Sequence, residues 1–343
     1  MKNIILTILT ALTLTACGGG SGGNGSPAGG DTFPDVEQPD TEQPDDNVTE
    51  ELFPHLTTEE YQSYDTKRIN GKDAFDTYSG EGVKVGVIDA GYDLEHFELN
   101  ETDVFLAYQN DIKELVGYTH GTSMLSMLSA KRNDKGIIGL IRNASFALAN
   151  SNRNLGLIFE KFVEQDVTVV NNSYIVTPNR IPSIQVIKTL SEKAVFVFGA
   201  GNDGLDKNQT LYGEVDKNIL IVGSLYNDFE GNHRRSNYSN YGYVVDVFVV
   251  ADDLFLAKNK KVVPFRTGGT STATTIVTST IAIAQQSHPD INATTMADKI
   301  CATAIHIGDE PYDLEDENGN MRSKIYGCGE VDVKAFFEAL DAL

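Results

Sequence analysis

Four residues of this 343-residue chain have types and settings suited to acyl-transfer chemistry. Ser271 lies in "GGTSTAT" (268–274), directly before the apolar stretch "TIVTSTIAIAQQ". A serine hydroxyl is a weak nucleophile until a neighbouring base takes its proton. His120, in "HGTSMLSMLSAK", is such a base, because imidazole titrates near neutral pH and can return the proton to a leaving group. Asp89, closing "VGVID", could fix the imidazole tautomer and stabilise the imidazolium. Asn202, in "FGAGNDG", could donate its amide to a developing oxyanion. Each also has a structural reading. Ser271 could cap a helix, His120 could cap or pack, Asp89 could be a structural carboxylate, and Asn202 could be a turn residue.

Placing these groups together requires a particular kind of scaffold. Residues 83–89, 167–171, 194–198, 218–222 and 244–250 are apolar runs rich in β-branched residues, and helical stretches such as 121–131 and 155–165 lie between them. Fully apolar strands separated by helices predict an α/β fold with three layers, a mostly parallel central sheet and helices on both faces. Sites in such sheets form beyond the carboxyl ends of the strands. Asp89, Asn171-Asn172-Ser173 and Gly199–Asn202 follow three such ends and so point to one place.

The order Asp, His, Ser, with the serine at a glycine-led helix start, changes the balance of readings. "VGVIDAG", "HGTS", "GAGND" and "GGTSTAT" occur in the order and spacing of the subtilisin-like serine proteases, and "SNYSNYG" (236–242) and "YGCGEVDVKAF" (326–336) match weaker segments. Over residues 60–340 the chain resembles that family. The resemblance implies a three-layer subtilisin-like fold and a serine endopeptidase that works through an acyl-enzyme. Ser271 would be the nucleophile, His120 the general base and then acid, Asp89 the orienting carboxylate, and Asn202 an oxyanion donor beside the Ser271 amide. It implies protein or peptide substrates and no cofactor for catalysis. A catalytically silent peptide-binding module is the alternative, and an esterase or peptide ligase using the same acyl-enzyme is a third reading.

Departures from the family pattern are local. Ser123 stands where a second His is common, Thr272 where Met usually follows the nucleophile, and Thr275 where a Pro follows it. The resemblance places Ser173, Tyr174 and Ile175 on one wall of the substrate groove, with Gly201 nearby and Glu214 near the pocket floor. There Glu214 could favour a basic residue, or be a solvated surface acid. Glu98 and Asn133 fall near positions that hold a structural calcium in many relatives, although Lys131, Arg132 and Lys135 crowd that loop. Many relatives carry a folding-assisting prodomain. Only a low-complexity segment lies between Cys17 and residue 51, so folding without such a helper, or control by a partner or by export, is expected.

The N-terminus carries a different signal. "MKNIILTILTALTLTAC" has one Lys and then an apolar run too short to span a bilayer. Leu14-Thr15-Ala16-Cys17 resembles the lipobox of bacterial lipoproteins, which implies cleavage after residue 16 and acylation of Cys17. Gly18 after the Cys suggests the outer membrane of a bacterial envelope. The expected organisation is a signal peptide (1–16), a lipidated tether (17–50) and a peptidase domain (51–343). Residues 18–50 are Gly/Ser-rich and then Pro/acid-rich, a composition unable to bury a core, and could extend roughly 60 Å at about 2 Å per residue. Cys301 and Cys328 would then share an oxidising compartment, paired as a disulfide or left as two buried thiols. The net charge of −22 includes nine acids and no base in residues 31–51. A field of that sign argues against nucleic-acid partners. A monomer is expected.

Overall fold

The computed structural model describes residues 60–107, 120–151, 154–173, 193–207, 218–258 and 261–343. All fall within the unit Glu42–Leu343, so the expected boundaries at residues 16/17 and 50/51 lie outside the described residues. In chain order the elements that matter are β1 (Glu60–Gln62), α1 (Lys72–Thr77), β2 (Lys84–Asp89), β3 (Val104–Ala107), α2 (His120–Ser129), β4 (Gly136–Ile138), β5 (Ser145–Asn150) and α3 (Leu155–Glu164). They continue as β6 (Val169–Asn172), β7 (Val195–Gly199), β8 (Ile219–Asn227), β9 (His233–Arg235), β10 (Val247–Val250), β11 (Asp252–Lys258), β12 (Lys261–Thr267), α4 (Thr270–Ser287), α5 (Ala293–Ala302) and α6 (Val333–Asp341).

Seven strands form a parallel sheet in the order β10-β8-β7-β6-β2-β5-β3, and β9 adds antiparallel to β8. The pleat sends alternate side chains to opposite faces. Val85 and Val87 of β2, Val169 of β6 and Val195 and Val197 of β7 join one core, with Met124 and Leu125 of α2 and Ala273, Ile276 and Val277 of α4. Ile88, Val170, Phe196 and Phe198 join the other, with Leu155, Ile158, Phe159 and Phe162 of α3. Two apolar faces on each strand explain the unbroken hydrophobic runs. Gly86 lets α3 settle close to β2, since a Cβ there would stand 2.4 Å from the Phe162 ring.

Two features differ from the sequence expectation. β5 ("SFALAN") is flanked by β2 and β3 in the sheet, yet its alanines carry little strand propensity; its place is set by pairing. β11 and β12 form an antiparallel hairpin outside the main sheet that lies against α2. Ser123 Oγ donates to the Ala257 carbonyl (2.8 Å), and the Ala257 amide donates to Ser126 Oγ (3.0 Å). The serine at the place of the family's second His therefore ties the hairpin to the histidine-bearing helix.

Cys301, at the end of α5, and Cys328 are joined as a disulfide, their Cα atoms 5.4 Å apart and 27 residues apart in sequence. On the chain-entropy account, a loop of that size stabilises by about 3–4 kcal/mol. The Cys301→Ser/Cys328→Ser double variant should lose about that much in urea unfolding; an unchanged midpoint would show that the bond does not form in solution. Among the described residues, no helix is long and apolar enough to cross a membrane.

Candidate active site

The carboxyl edge of the sheet gathers the expected groups from four elements. Asp89 is the last residue of β2 and is fully buried. Its Oδ1 accepts from its neighbour's amide, Ala90 N–H, at 2.6 Å and contacts His120 Nδ1 at 2.7 Å. His120 is the first residue of α2, and the start of that helix is docked on the turn after β2. Gly121 N–H donates to the Ala90 carbonyl (3.1 Å), Asp93 N–H donates to Thr122 Oγ1 (2.9 Å), and a Cβ on Gly121 would stand 2.4 Å from the Gly91 carbonyl oxygen. The glycine after the histidine is thus a close-approach position that sets the Asp89–His120 distance.

Burial alone would lower the His120 pKa. The Asp89 charge and hydrogen bond outweigh it, so the imidazole titrates above its ordinary value. Activity that needs neutral His120 should rise with pH through a midpoint above about 6.5 and be lost below it. The imidazolium–carboxylate pair contributes stability with the opposite sign, present below about 6.5 and lost as pH rises through the raised pKa. In Asp89→Asn the midpoint of kcat/KM should move to lower pH as activity falls. A pH profile unchanged by Asp89→Asn would refute the coupling.

Ser271 is the second residue of α4, 6% exposed. The helix is full of hydroxyls, and most are absorbed by its own backbone: Thr274 donates to the Thr270 carbonyl, Thr275 to Ser271, Ser279 to Thr275 and Thr280 to Ile276, at 2.7–3.1 Å. Ser271 Oγ instead makes a long contact, 3.3 Å, to the Ser173 carbonyl at the end of β6. Thr275, standing where relatives carry Pro, leaves the helix regular from Thr270 to Ser287, and its hydroxyl also contacts Met124 Sδ of α2 at 3.4 Å.

Asn202 holds the start of α4. Its Oδ1 accepts from Thr270 N–H (2.9 Å) and from Thr270 Oγ1 (3.1 Å). A backbone amide can only donate, so Oδ1 is the atom facing Thr270, and Nδ2 is left on the side of Gly269, whose Cβ, if present, would lie 3.1 Å from it. The Ser271 N–H lies in the first turn, where no intrahelical carbonyl can accept it. Both donors an oxyanion would need therefore lie at one helix start, the amide from its first turn and the side chain from the loop after β7. Thr270 was not singled out by sequence, yet its hydroxyl bridges Gly201 N–H (3.1 Å) to Asn202. Only its adjacency to Ser271 could have pointed to it. Likewise Tyr238, inside "SNYSNYG", donates its hydroxyl to the Gly268 carbonyl and holds the glycine pair from behind.

The other expected groups divide into three sets. Ser173 reaches the site through its carbonyl, while its Oγ accepts from Asn171 Nδ2 (3.1 Å). Gly201 (φ +97°) has both backbone polar groups engaged, with Thr270 Oγ1 and with Asn240 N–H (2.9 Å). Tyr174, Ile175, Glu214 and Cys17 lie outside the described residues. Glu98 and Asn133 are each tied to the β1–β4 pair, Glu98 through Ile137 of β4 and the Asn133 backbone amide through Glu60 of β1. Glu98 is buried, its Oε1 accepts from Ile137 N–H (3.0 Å), and its Oε2 has no partner among the described residues, as is true of Asn133 Oδ1. Burial raises the Glu98 carboxyl to about 7, against the Ile137 bond and with the nearby Glu60 carboxylate adding to it. Of the cations crowding that loop, Lys131 donates to the Arg142 carbonyl, and Lys135 stands 6.0 Å over the Phe97 ring while its charge opposes the rise in the Glu98 pKa.

The seven-stranded parallel sheet thus carries, at its carboxyl edge, an Asp–His pair and a helix-start serine. The chain matches the Subtilase family over residues 80–329 and belongs to that family. It is similar to subtilisin DY of Bacillus licheniformis, 24% identical over 274 residues that cover 75% of this chain and 92% of that one. It is also similar to an intracellular serine protease of Paenibacillus polymyxa, 27% identical over 229 residues, covering 60% of this chain and 68% of the relative. Of subtilisin E from Bacillus subtilis (strain 168) it spans 66%. Among solved structures, the prenylagaramide maturation protease PagA shares the fold with a TM-score of 0.59 at 18% identity, over 78% of this chain and 97% of that one.

Proposed function

We propose that the protein is a serine endopeptidase that cleaves peptide bonds through an acyl-enzyme on Ser271. The observation that carries this reading is the 2.7 Å Asp89–His120 contact at the same sheet edge as a helix-start serine, Ser271, whose hydroxyl is not consumed by its own helix. In this mechanism the Ser271 hydroxyl turns from the Ser173 carbonyl to His120 Nε2. Oγ attacks the substrate carbonyl carbon as its proton passes to Nε2, and Asp89 holds the imidazolium. The oxyanion is met by Asn202 Nδ2 and Ser271 N–H at the positive end of α4. Collapse breaks the C–N bond, His120 protonates the departing amine, and water then repeats the sequence to free the acid and restore Ser271.

A tagged fluorophosphonate tests this directly. The wild-type chain should be labelled, and Ser271→Ala and His120→Ala should not. A folded wild type that resists labelling would sink the proposal and leave the peptide-binding module as the better reading.

The finer assignments rest on the sequence. Cys17 acylation would tether the enzyme to the bacterial envelope, the outer membrane by the Gly18 rule, and raise its effective concentration near other anchored proteins. Fatty-acid labelling that persists in Cys17→Ala would refute it. Glu98 Oε2 and Asn133 Oδ1, two buried oxygens with no donor among the described residues, suit a hard cation. Glu98 and Asn133 would hold a structural calcium, which would stabilise the fold and take no part in the bond-breaking. Calcium at about 100 times its Kd should add about 2.7 kcal/mol of stability, removed by chelator and absent in Glu98→Gln. Melting curves unaffected by calcium or chelator in the wild type would exclude the site.

A further inference from the structure

A cavity of about 660 Å³, bounded in part by Tyr61, Phe255, Arg132 and Arg142, belongs to no part of the site above. None of Asp89, His120, Asn202 and Ser271 lines it. Arg132 lies beyond the C-terminal end of α2, so a ten-residue helix, roughly 15 Å at 1.5 Å per residue, separates it from His120.

The charges around this cavity are unevenly satisfied. Its acids are committed: Asp76 pairs with Lys72, Asp253 with Arg68 (3.1 Å), and Asp65 accepts the Lys67 amide (3.2 Å). Arg132 and Arg142 differ. Neither guanidinium donates a hydrogen bond to, or forms an ion pair with, any described residue, and both are on the cavity wall. Arg142 is half-buried. Burial first, and then the Arg132 charge, lower its pKa, with Glu60 and Asp76 opposing. Arg132 is exposed and Arg142 half-buried, so two like charges stand on one cavity wall with no ion pair to any described residue, an arrangement that an anion between them would relieve. Beside them, Tyr61 and Phe255 stack at 4.9 Å and offer an apolar wall.

We infer that this cavity binds a peptide carboxylate, held by the guanidinium forks of Arg132 and Arg142, with an apolar neighbour of that carboxylate lying on the Tyr61–Phe255 pair. Planar forks match a carboxylate bidentately, which a lysine pair would not do. One carboxylate fits the charge balance better than a polyanion, because Asp65, Asp76 and Asp253 stand around it. The site is independent of the bond-breaking chemistry and would give the protein a second point of contact with acidic–aromatic segments.

Isothermal titration of the full-length Ser271→Ala chain, which cannot cut its probe, decides the matter. Acetyl-Glu-Phe-amide should bind about tenfold or more tightly than acetyl-Gln-Phe-amide, the size of one lost charge-assisted contact. Arg132→Gln and Arg142→Gln should each weaken the Glu peptide about tenfold, and Arg142→Lys should keep part of the affinity through charge without the fork. Melting temperatures of the Arg variants should hold or rise, since each removes a like-charge contact. Equal affinity for the two peptides, no binding of the Glu peptide at millimolar concentration, or undiminished binding by folded Arg variants would overturn the inference. Inorganic phosphate that binds where the peptide does not would also overturn it, in favour of a small-anion site.

Discussion

Ser271→Ala is expected to lower kcat by about 10⁶-fold, the loss that follows when a nucleophile–base pair acting as a unit is broken. The fold should scarcely register the change, because the hydroxyl gives up only a 3.3 Å contact to the Ser173 carbonyl and Ala is at home in a helix. His120→Ala should cost a similar factor, and the double variant little more, since either change alone disables proton transfer. Steady-state kinetics on a peptide anilide, with unfolding curves alongside, measure both quantities. Additive losses in the double variant would mean that Ser271 and His120 act separately, and the acyl-enzyme mechanism would fall. A Ser271→Ala loss of only a few fold would point to a different nucleophile.

Asn202 carries the second large effect, and its two side-chain ends can be tested apart. Oδ1 braces the helix start through Thr270, while Nδ2 is the oxyanion donor in the proposed mechanism. Asn202→Asp keeps the acceptor and replaces the donor with a charge of the wrong sign. It should lower kcat by at least about 10²–10³-fold with little change in KM, because the lost interaction exists only in the transition state. Asn202→Ala should lose a similar factor in rate and also about 1 kcal/mol of stability, as an unmet first-turn amide appears. Near-normal kcat in Asn202→Asp would remove Asn202 from the oxyanion site. A KM increase with kcat intact would make it a substrate-binding group instead.

How far the site was legible depends on the range of the interactions that build it. Asp89, His120, Asn202 and Ser271 each stand in a short block whose glycines and strand ends are local. The parallel sheet brings Asp89, which ends β2, and Asn202, which follows β7, to the same edge, while His120 and Ser271 arrive there at helix starts, Ser271 after the hairpin that lies outside the sheet. The helix start at Thr270 and the apolar runs of β2, β6 and β7 were equally local. The alternation of Val85, Val87 and Ile88 between two cores added nothing visible, since both faces are apolar. β5 was not legible, because "SFALAN" is weakly patterned and becomes a strand only by pairing with β2 and β3. Nor was the role of Thr270, Tyr238 or Ser123. Their partners are 68, 30 and 134 residues away, and no spacing rule reaches that far.

The sequence by itself determined the residue types, the order Asp, His, Ser, and the layered α/β scaffold, since these follow from composition, periodicity and short motifs. Only the tertiary structure decided how the groups at the sheet edge are aimed. The hydroxyls of Thr274, Thr275, Ser279 and Thr280 turn back to carbonyls of their own helix, which is a local matter, whereas the folded packing aims Asn202 Oδ1 at Thr270 and sets Ser271 Oγ against the Ser173 carbonyl. Hydrogen bonds act over about 3 Å, and distances on that scale between residues 89, 120, 202 and 271 are fixed only when the chain has folded.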